Sequence, residues 1–491
     1  MSASIPGASD FAGLKVAVVG LGKSGRAVLE VLGARTSAVL SAWDGSASAL
    51  DGLAEVSDVP ATIIEDPEAL AAAVLAWGPD VIVPAPAISE LSPLFVLAER
   101  AGVPLWSEIE VAWRMRAVDA EGQAAPWLCV TGTNGKTTTV SMVASILRVA
   151  GVGGTPIGNI GHPAVLETSR TDDDRPGVFV LELSSFQLRT THTMSALASI
   201  CLNLDDDHLE WHGNFAAYRD AKARIYEHVQ AACVYPVGDA TVQAMVDGAD
   251  VIDGARAIGV VVGTPSVGQI GIIEGIVVDR AFVDGRHRGE AVELCELIDI
   301  AHLAPGGGDL PLHIIKDAMA AAALCRAAGI APEVVRAGLR SFQPEKHRIE
   351  HVGTVDGVRY IDDSKATNAH AARASVLAQE DGTVVWIVGG LAKGARFEGL
   401  VQDVAKKLRA VVVIGTDQDV WRDALAPLAV PIHWVAVDSE SPMDDAVAAA
   451  RGCAQPGDAV LLAPATASFD QFASYAARGE KFRSVVEAIE A

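Results

Sequence analysis

The chain has no Cys-x-x-Cys pair. Its six cysteines (129, 201, 233, 295, 325 and 453) stand far apart, several inside apolar runs. This sets aside a paired-thiolate motif and reads as buried, reduced thiols in a cytosolic protein. Long apolar runs are also lacking. The longest are strand-sized, so no membrane-spanning helix is expected. Residues 1–15 lack a basic region followed by an apolar core, so no secretory signal is expected. Positive charge is scarce: 38 Lys and Arg stand against 62 Asp and Glu, a formal net charge of −24. That balance argues against broad nucleic-acid or anionic-membrane binding and leaves room for a local basic pocket. No solenoid-period repeat or low-complexity tract is visible. The chain does have length, 491 residues, half of them apolar. Two to four domains with sizeable cores are expected.

The most informative stretch begins with an apolar run, Trp127 to Val130, which reads as a buried strand. It leads into Gly132-Thr133-Asn134-Gly135-Lys136-Thr137-Thr138 and then a helical pattern through Val140, Val143 and Leu147. Strand, glycine turn, Lys-Thr and helix make a phosphate cradle. The glycines let backbone N–H groups point inward, and the helix N-terminus and Lys136 add positive charge. Thr137 is placed to hold Mg²⁺. The common loop carries a glycine five residues before its Gly-Lys pair. Val130 stands there, so this is a shorter variant, and ATP or GTP binding is expected.

Three blocks surround this loop. The first, residues 1–118, alternates strands and helices: a strand at Lys15 to Val19, a helix at Ala27 to Leu32, strands at Ser37 to Ala42 and Asp80 to Val83. The second, 119–343, holds the phosphate loop, strands at Val178 to Leu183 and Ala198 to Leu204, a β-rich stretch from Val251 to Val292, and an alanine-rich helix from Leu312. The third, 344–491, alternates again, with strands near Val358, Val384, Val411 and Ala459. The expected fold is α/β in three domains: a Rossmann-like first domain, a central P-loop domain with a mostly parallel sheet plus the β-rich segment, and a Rossmann-like third.

Other stretches sit at strand ends. Gly20-Leu21-Gly22-Lys23-Ser24-Gly25 fits the dinucleotide fingerprint, with Asp44 closing the second strand. It suits a nucleotide diphosphate, NAD or UDP-linked, and it equally makes a tight turn with no ligand. Glu182, at a strand end beside the phosphate loop, suits Mg²⁺ or is a plain surface carboxylate. Gly158-Asn159-Ile160-Gly161 offers a glycine-flanked amide. His208 ends the run Asn203 to His208, as a metal ligand or a solvated loop residue. Lys222 reads as an ordinary helix lysine, and physics alone would not single it out. In the third block, Asp362-Asp363-Ser364-Lys365-Ala366-Thr367-Asn368, His347-Arg348, Lys393 and Ser468-Phe469 gather charge and hydrogen-bonding groups at strand ends, as in a ligand crevice.

Taken in order, these stretches resemble the ATP-dependent Mur ligases. The match rests on Gly132 to Thr137, Gly158 to Gly161, Glu182-Leu183-Ser184-Ser185-Phe186-Gln187-Leu188, His347-Arg348 and Asp363 to Asn368, and it spans nearly the whole chain. Within the family, Ser184 to Leu188, Asp363 to Asn368 and Ala467 to Phe472 favour the member that adds D-glutamate to UDP-N-acetylmuramoyl-L-alanine. The resemblance implies an acyl phosphate formed from ATP and then displaced by the amine, in peptidoglycan precursor synthesis by a cytoplasmic monomer.

The resemblance also implies site roles. Gly132 to Thr138, Asp317, Arg348 and Asp363 would hold ATP. Thr137 and Glu182 would bind one Mg²⁺, and His208 with Lys222 a second, Lys222 being carbamylated by CO₂. Lys23, Ser24, Asp44, Asn159 and Ser184 would contact the UDP-muramoyl substrate. Thr367, Lys393, Ser468 and Phe469 would receive D-glutamate. Lys136, His208, Lys222, His347, Arg348 and Lys365 would serve the reacting centre. The chain departs from the family twice. Ser-Pro-Gly-Ile appears as Ala85-Pro86-Ala87-Ile88, and both asparagines of Gly-x-His-Asn-x-x-Asn are replaced, by Ile314 and Asp317. The competing readings are a sibling ligase such as a folylpolyglutamate synthase, an oxidoreductase built on Gly20 to Gly25, and a nucleotide switch without catalysis.

Overall fold

A computed structural model describes residues 4–304, 310–344, 346–392 and 395–490, apart from the side chains at 370, 374 and 490. The chain divides into two compact units. One runs up to His302 and takes in Pro311–Phe342, and the other takes in Leu303–Leu310 and the chain from Gln343 onward.

The first unit holds two sheets. A four-stranded, all-parallel sheet has the order β3-β2-β1-β4, from β1 (Lys15–Val19), β2 (Val39–Asp44), β3 (Ala61–Ile63) and β4 (Val81–Pro84). Residues 16–19 and 81–84 are buried, the continuous apolar pattern of strands covered on both faces. The second sheet has nine strands: β5 (Trp127–Thr131), β6 (Pro156–Gly158), β7 (Phe179–Glu182), β8 (Ala198–Cys201), β9 (Ala232–Pro236), β10 (Arg256–Val260), β11 (Gln269–Ile273), β12 (Ile276–Asp279) and β13 (Val292–Glu296). Their order is β13-β12-β11-β10-β9-β8-β5-β7-β6. The sheet is parallel from β6 to β11 and antiparallel at β12 and β13, so the β-rich stretch is its tail. β5, which feeds the phosphate loop, lies between β7 and β8. One continuous core joins the two sheets, from Val16 and Val28 to Trp127, Leu181 and Ile225.

The second unit is a six-stranded sheet of order β14-β15-β19-β16-β17-β18. Its strands are β14 (Glu350–Val355), β15 (Val358–Asp362), β16 (Val384–Gly389), β17 (Leu408–Ile414), β18 (Ile432–Trp434) and β19 (Ala459–Leu462). Only the β14–β15 pair is antiparallel. Apolar clusters cover both faces, one around Trp386, Phe397 and Trp421, the other around Tyr360, Val447 and Phe482. β19 lies between β15 and β16, although it comes last in the chain. The loops leaving these three strands therefore meet at one crevice.

Several boundaries differ from the sequence expectation. The first helix runs Lys23–Arg35, so Lys23 and Ser24 are its first residues rather than a preceding turn. β8 stops at Cys201 rather than Leu204, because Asn203 turns away to bond the phosphate loop. The strands β3, β6 and β18 carry three residues each, too few for the pattern to show, and the edge strand β14 mixes charged, polar and apolar residues. Five of the six cysteines are buried, all are unpaired, and Cys453 is half-buried. No helix among the described residues is long and apolar enough to cross a membrane.

Candidate active site

The phosphate loop owes its shape to two glycines with positive φ, Gly132 at +148° and Gly135 at +84°. A Cβ on Gly135 would stand 2.6 Å from Asp317 Oδ1, so only glycine fits. Gly135 is the N-cap of the helix Lys136–Val149. Asn203 props the loop: its Oδ1 accepts from Asn134 N at 2.9 Å, its Nδ2 donates to Asn134 O at 3.1 Å, and its carbonyl accepts from Thr133 N at 3.1 Å. Lys136 folds back over the loop and donates to Gly132 O at 2.8 Å and Thr133 O at 2.9 Å. Thr138 follows in the first turn, half-buried.

Glu182, at the end of β7, is 2% exposed. Its two oxygens divide their work: Oε2 accepts from Thr137 Oγ1 at 2.8 Å and Oε1 from Asn159 Nδ2 at 2.9 Å. Asn159 is fixed by its own N–H to Glu182 O, 2.8 Å. A Cβ on Gly158 would stand 2.6 Å from that carbonyl, which explains the glycine before Asn159.

Lys222 lies in the helix Phe215–Ala223, capped by Asn214. It is 2% exposed and donates to Thr131 Oγ1 at 3.1 Å and Gly132 O at 2.9 Å. Burial, reinforced by the positive charge of Lys136, pulls its pKa from 10.5 down to about 7. Its ammonium sits 5.0 Å from the centre of the Tyr218 ring, and the Tyr218 hydroxyl lies 3.0 Å from Thr133 Oγ1. The His208 ring is 6.3 Å from Tyr218 and packs on Phe186 at 4.6 Å. The residue is left-handed, φ +53°, with Nε2 3.4 Å from Asp207. The loop, Glu182, Asn159, Lys222 and His208 thus share one end of the nine-stranded sheet. Sequence reasoning missed Thr131, Asn203 and Tyr218, whose partners Lys222, Asn134 and Thr133 lie 69 or more residues away.

Several of the remaining expected residues have other work in the fold. Ser184 Oγ caps the helix Ser185–Arg189 in a reciprocal box with Gln187. Asp44 accepts from Leu21 N at 2.7 Å and Ser46 N at 2.9 Å, holding the glycine turn, while Lys23 is exposed beside it. Gly25 packs on the turn that follows β1: a Cβ there would come within 2.1 Å of Gly20 O. Ala87, where the family carries glycine, does not have positive φ, so that replacement strains nothing. Asp317 is 5% exposed, and burial raises its pKa to about 8. A neutral carboxylic acid thus replaces the second asparagine of the family motif, with Ile314 in place of the first.

In the second unit, His347 is nearly buried at φ +64° and its Nδ1 lies 2.7 Å from Asp362 Oδ2. Glu350 Oε2 accepts from His347 N at 2.9 Å. Among the described residues, these three form the only cluster of His, Cys, Asp and Glu close enough to share an ion. The side chains of Glu182 and His208 do not form such a cluster. Asp363 is buried, accepts from Ile349 N at 3.2 Å and pairs with Ser375. Burial raises its pKa to about 6, against the pull of these bonds and of Arg348. Lys365 N donates to His347 O at 3.0 Å. Thr367, Ser468 and Phe469 line a cleft of about 480 Å³ together with Leu391 and Tyr475. Lys393 lies outside the described residues.

Residues 130–253 match the Mur ligase middle domain, and 347–466 match the glutamate ligase domain of Mur ligases. The chain is 46% identical to the UDP-N-acetylmuramoylalanine–D-glutamate ligase of Streptomyces coelicolor, over 97% of this chain and 98% of that one. It is 39% identical to the same-named protein of Mycolicibacterium smegmatis, over 97% of each. A MurF ligase of Thermotoga maritima, solved with ADP, is similar over 97% of this chain and 95% of that one, at 15% identity and a TM-score of 0.47. The chain belongs to the Mur ligase family, grouped with its UDP-N-acetylmuramoylalanine–D-glutamate ligases.

Proposed function

We propose that the chain is an ATP-dependent ligase that joins D-glutamate to the L-alanine carboxylate of UDP-N-acetylmuramoyl-L-alanine, releasing ADP and phosphate. The observation that carries this is the gathering of Lys136, Thr137, Glu182 and buried Lys222 around one glycine loop, in a chain similar along nearly all its length to ligases of that name. The substrate carboxylate attacks the γ-phosphate, ADP leaves, and the amine of D-glutamate displaces phosphate from the acyl phosphate. A carboxylate is a poor acyl donor, and phosphorylation supplies the leaving group.

The phosphates of ATP lie along Gly132 to Thr138, with Lys136 released from its two carbonyl bonds to meet them. Adenine packs toward Asp317, which as a neutral acid can both donate and accept a hydrogen bond. Arg348 and Asp363 complete the nucleotide contacts. The donor set fits Mg²⁺: a hydroxyl and a carboxylate already paired at Thr137 and Glu182 would hold one ion, and His208 with carbamylated Lys222 the second. Bound there, Mg²⁺ supplies charge to the phosphate oxygens. Lys222 meets the chemical requirement for carbamylation, a buried amine that loses its proton near neutral pH. Lys23, Ser24, Asp44, Asn159 and Ser184 receive the UDP-muramoyl substrate. Thr367, Lys393, Ser468 and Phe469 receive D-glutamate. His347 and Lys365 serve the transfer.

The three-domain division at 118 and 343 belongs to this reading, with Rossmann-like first and third domains. So do a cytoplasmic monomer and the absence of a nucleic-acid partner. The test is isotopic. UDP-N-acetylmuramoyl-L-alanine labelled with ¹⁸O in its carboxylate is turned over with ATP and D-glutamate. One ¹⁸O per phosphate released supports the acyl-phosphate route, and unlabelled phosphate refutes it.

A further inference from the structure

The cleft between the loops after β15, β16 and β19 is backed by a cation outside the expected site residues. Arg478, in the first turn of the helix Tyr475–Glu490, is fully buried. Its Nε donates to Ser364 Oγ at 2.9 Å. One terminal nitrogen donates to Thr466 O at 3.2 Å, and the other to Ser364 O at 2.9 Å and Thr466 O at 3.2 Å. Ser364 belongs to the loop after β15 and Thr466 to the loop after β19. Ser364 Oγ in turn donates to Tyr475 O at 2.8 Å. The third loop closes over the same group: a Cβ on Gly390 would stand 2.3 Å from Ala467 O and 3.3 Å from Arg478 Nη1.

One planar fork therefore ties together two loops that carry Thr367 and Ser468. The turn between them needs such a tie. Ala465 is held at φ +60°, a conformation non-glycine residues keep only when their surroundings impose it, and its N–H donates to Ala366 O at 2.9 Å. All these acceptors are neutral oxygens. Burial lowers the Arg478 pKa to about 10, which leaves it charged at neutral pH. The carboxylates of Asp470 and Asp362 act on it through space but neither bonds to it, and burial outweighs them, so a further anion in the cleft is favoured. Thr466, Ala467 and Ser468 line the cleft in front of it.

We propose that Arg478 is a positioning and specificity-determining residue of the amino-acid pocket. It fixes the Thr367 and Ser468 walls in register and adds positive charge behind them that favours a dicarboxylate acceptor. This rests on the reading that the cleft receives D-glutamate. The test compares wild type with Arg478→Lys, which keeps the charge but cannot fork, Arg478→Gln, which loses it, and Ser364→Ala, a milder cut in the same tie.

Steady-state KM is measured for D-glutamate, ATP and the UDP substrate in turn. Expected is a rise in KM for D-glutamate of about tenfold or more in Arg478→Lys, equivalent to about 1.4 kcal/mol. A larger rise is expected in Arg478→Gln and a smaller one in Ser364→Ala, with the other two KM values within about twofold. An unchanged KM for D-glutamate in folded Arg478→Lys, or an equal rise in all three KM values, overturns the proposal. The ligand-induced rise in melting temperature gives a readout apart from turnover. D-glutamate, added with a non-hydrolysable ATP analogue and the UDP substrate, should stabilise wild type more than Arg478→Lys. Equal stabilisation also overturns the proposal. If wild type releases no phosphate with D-glutamate, the functional reading falls. The same melting comparison with L-glutamate and D-aspartate then decides whether Arg478 serves an acidic amino acid.

Discussion

Lys222 offers the sharpest prediction, because its surroundings fix its proton affinity. The amine donates only to Thr131 Oγ1 and Gly132 O, is 2% exposed, and shares its neighbourhood with Lys136. Its pKa falls from 10.5 to about 7. At pH 8 it is then about nine-tenths neutral, against about 0.3% for an ordinary lysine, a gain of roughly 300-fold in the form that attacks CO₂. The protein is equilibrated with ¹³C-bicarbonate at fixed dissolved CO₂, and the carbamate carbon is followed by NMR from pH 5.5 to 9. Forming the carbamate releases a second proton, so its intensity should rise steadily with pH, be present already between pH 7 and 8, and vanish in Lys222→Met. Linkage gives a second readout. The unfolded chain holds the lysine proton up to about pH 10.5 while the folded chain releases it near 7, so this residue makes stability rise with pH between those values. Lys222→Met should remove that slope. A carbamate signal that survives in Lys222→Met, or one that is absent throughout up to pH 9, would refute the reasoning.

Lys136→Met removes the charge over the loop and should lower kcat/KM for ATP by about 10² or more while leaving UDP-substrate binding unchanged, checked by calorimetry. Asp317→Asn replaces a buried acid whose folded pKa is about 8 and unfolded pKa 3.8. Wild type keeps this residue's contribution below pH 3.8 and loses it as pH rises through 8. Denaturant titrations should therefore show the variant gaining on wild type across that window, at about 1.4 kcal/mol per pKa unit as a ceiling. Parallel pH profiles would contradict it. Gly479→Ala places a Cβ 2.2 Å from His347 Nδ1 and 2.6 Å from Asp362 Oδ2, so His347 must shift. Turnover should fall at least about tenfold with a stability loss of roughly 1–3 kcal/mol, read by phosphate release and thermal melting.

The phosphate loop was legible because its residues are contiguous: the glycine dihedrals, Lys136 and Thr137 need only a strand before and a helix after. The parallel sheets were legible for a similar reason, since β16 and the stretches 127–130 and 410–414 are unbroken apolar runs. Lys222 was not. Nothing in its local pattern marks it as buried, and its environment comes from Thr131 and Tyr218, brought together by tertiary packing. Nothing in the local sequence singles out Arg478 and Gly479, since their partners Ser364, Thr466 and His347 lie on distant loops. Ser184 was legible as a site residue by resemblance, yet its hydroxyl is engaged in a helix cap. The glycine replaced by Ala87 signalled a change that the backbone absorbs without strain.

The central claim is the identity of the two joined substrates. Phosphate release from ATP and Mg²⁺ is measured with UDP-N-acetylmuramoyl-L-alanine, alone and with D-glutamate, L-glutamate, L-lysine or meso-diaminopimelate. The account predicts release that needs both the UDP substrate and D-glutamate, with a product heavier by one glutamyl residue. Release that needs another amino acid, or none, would contradict it.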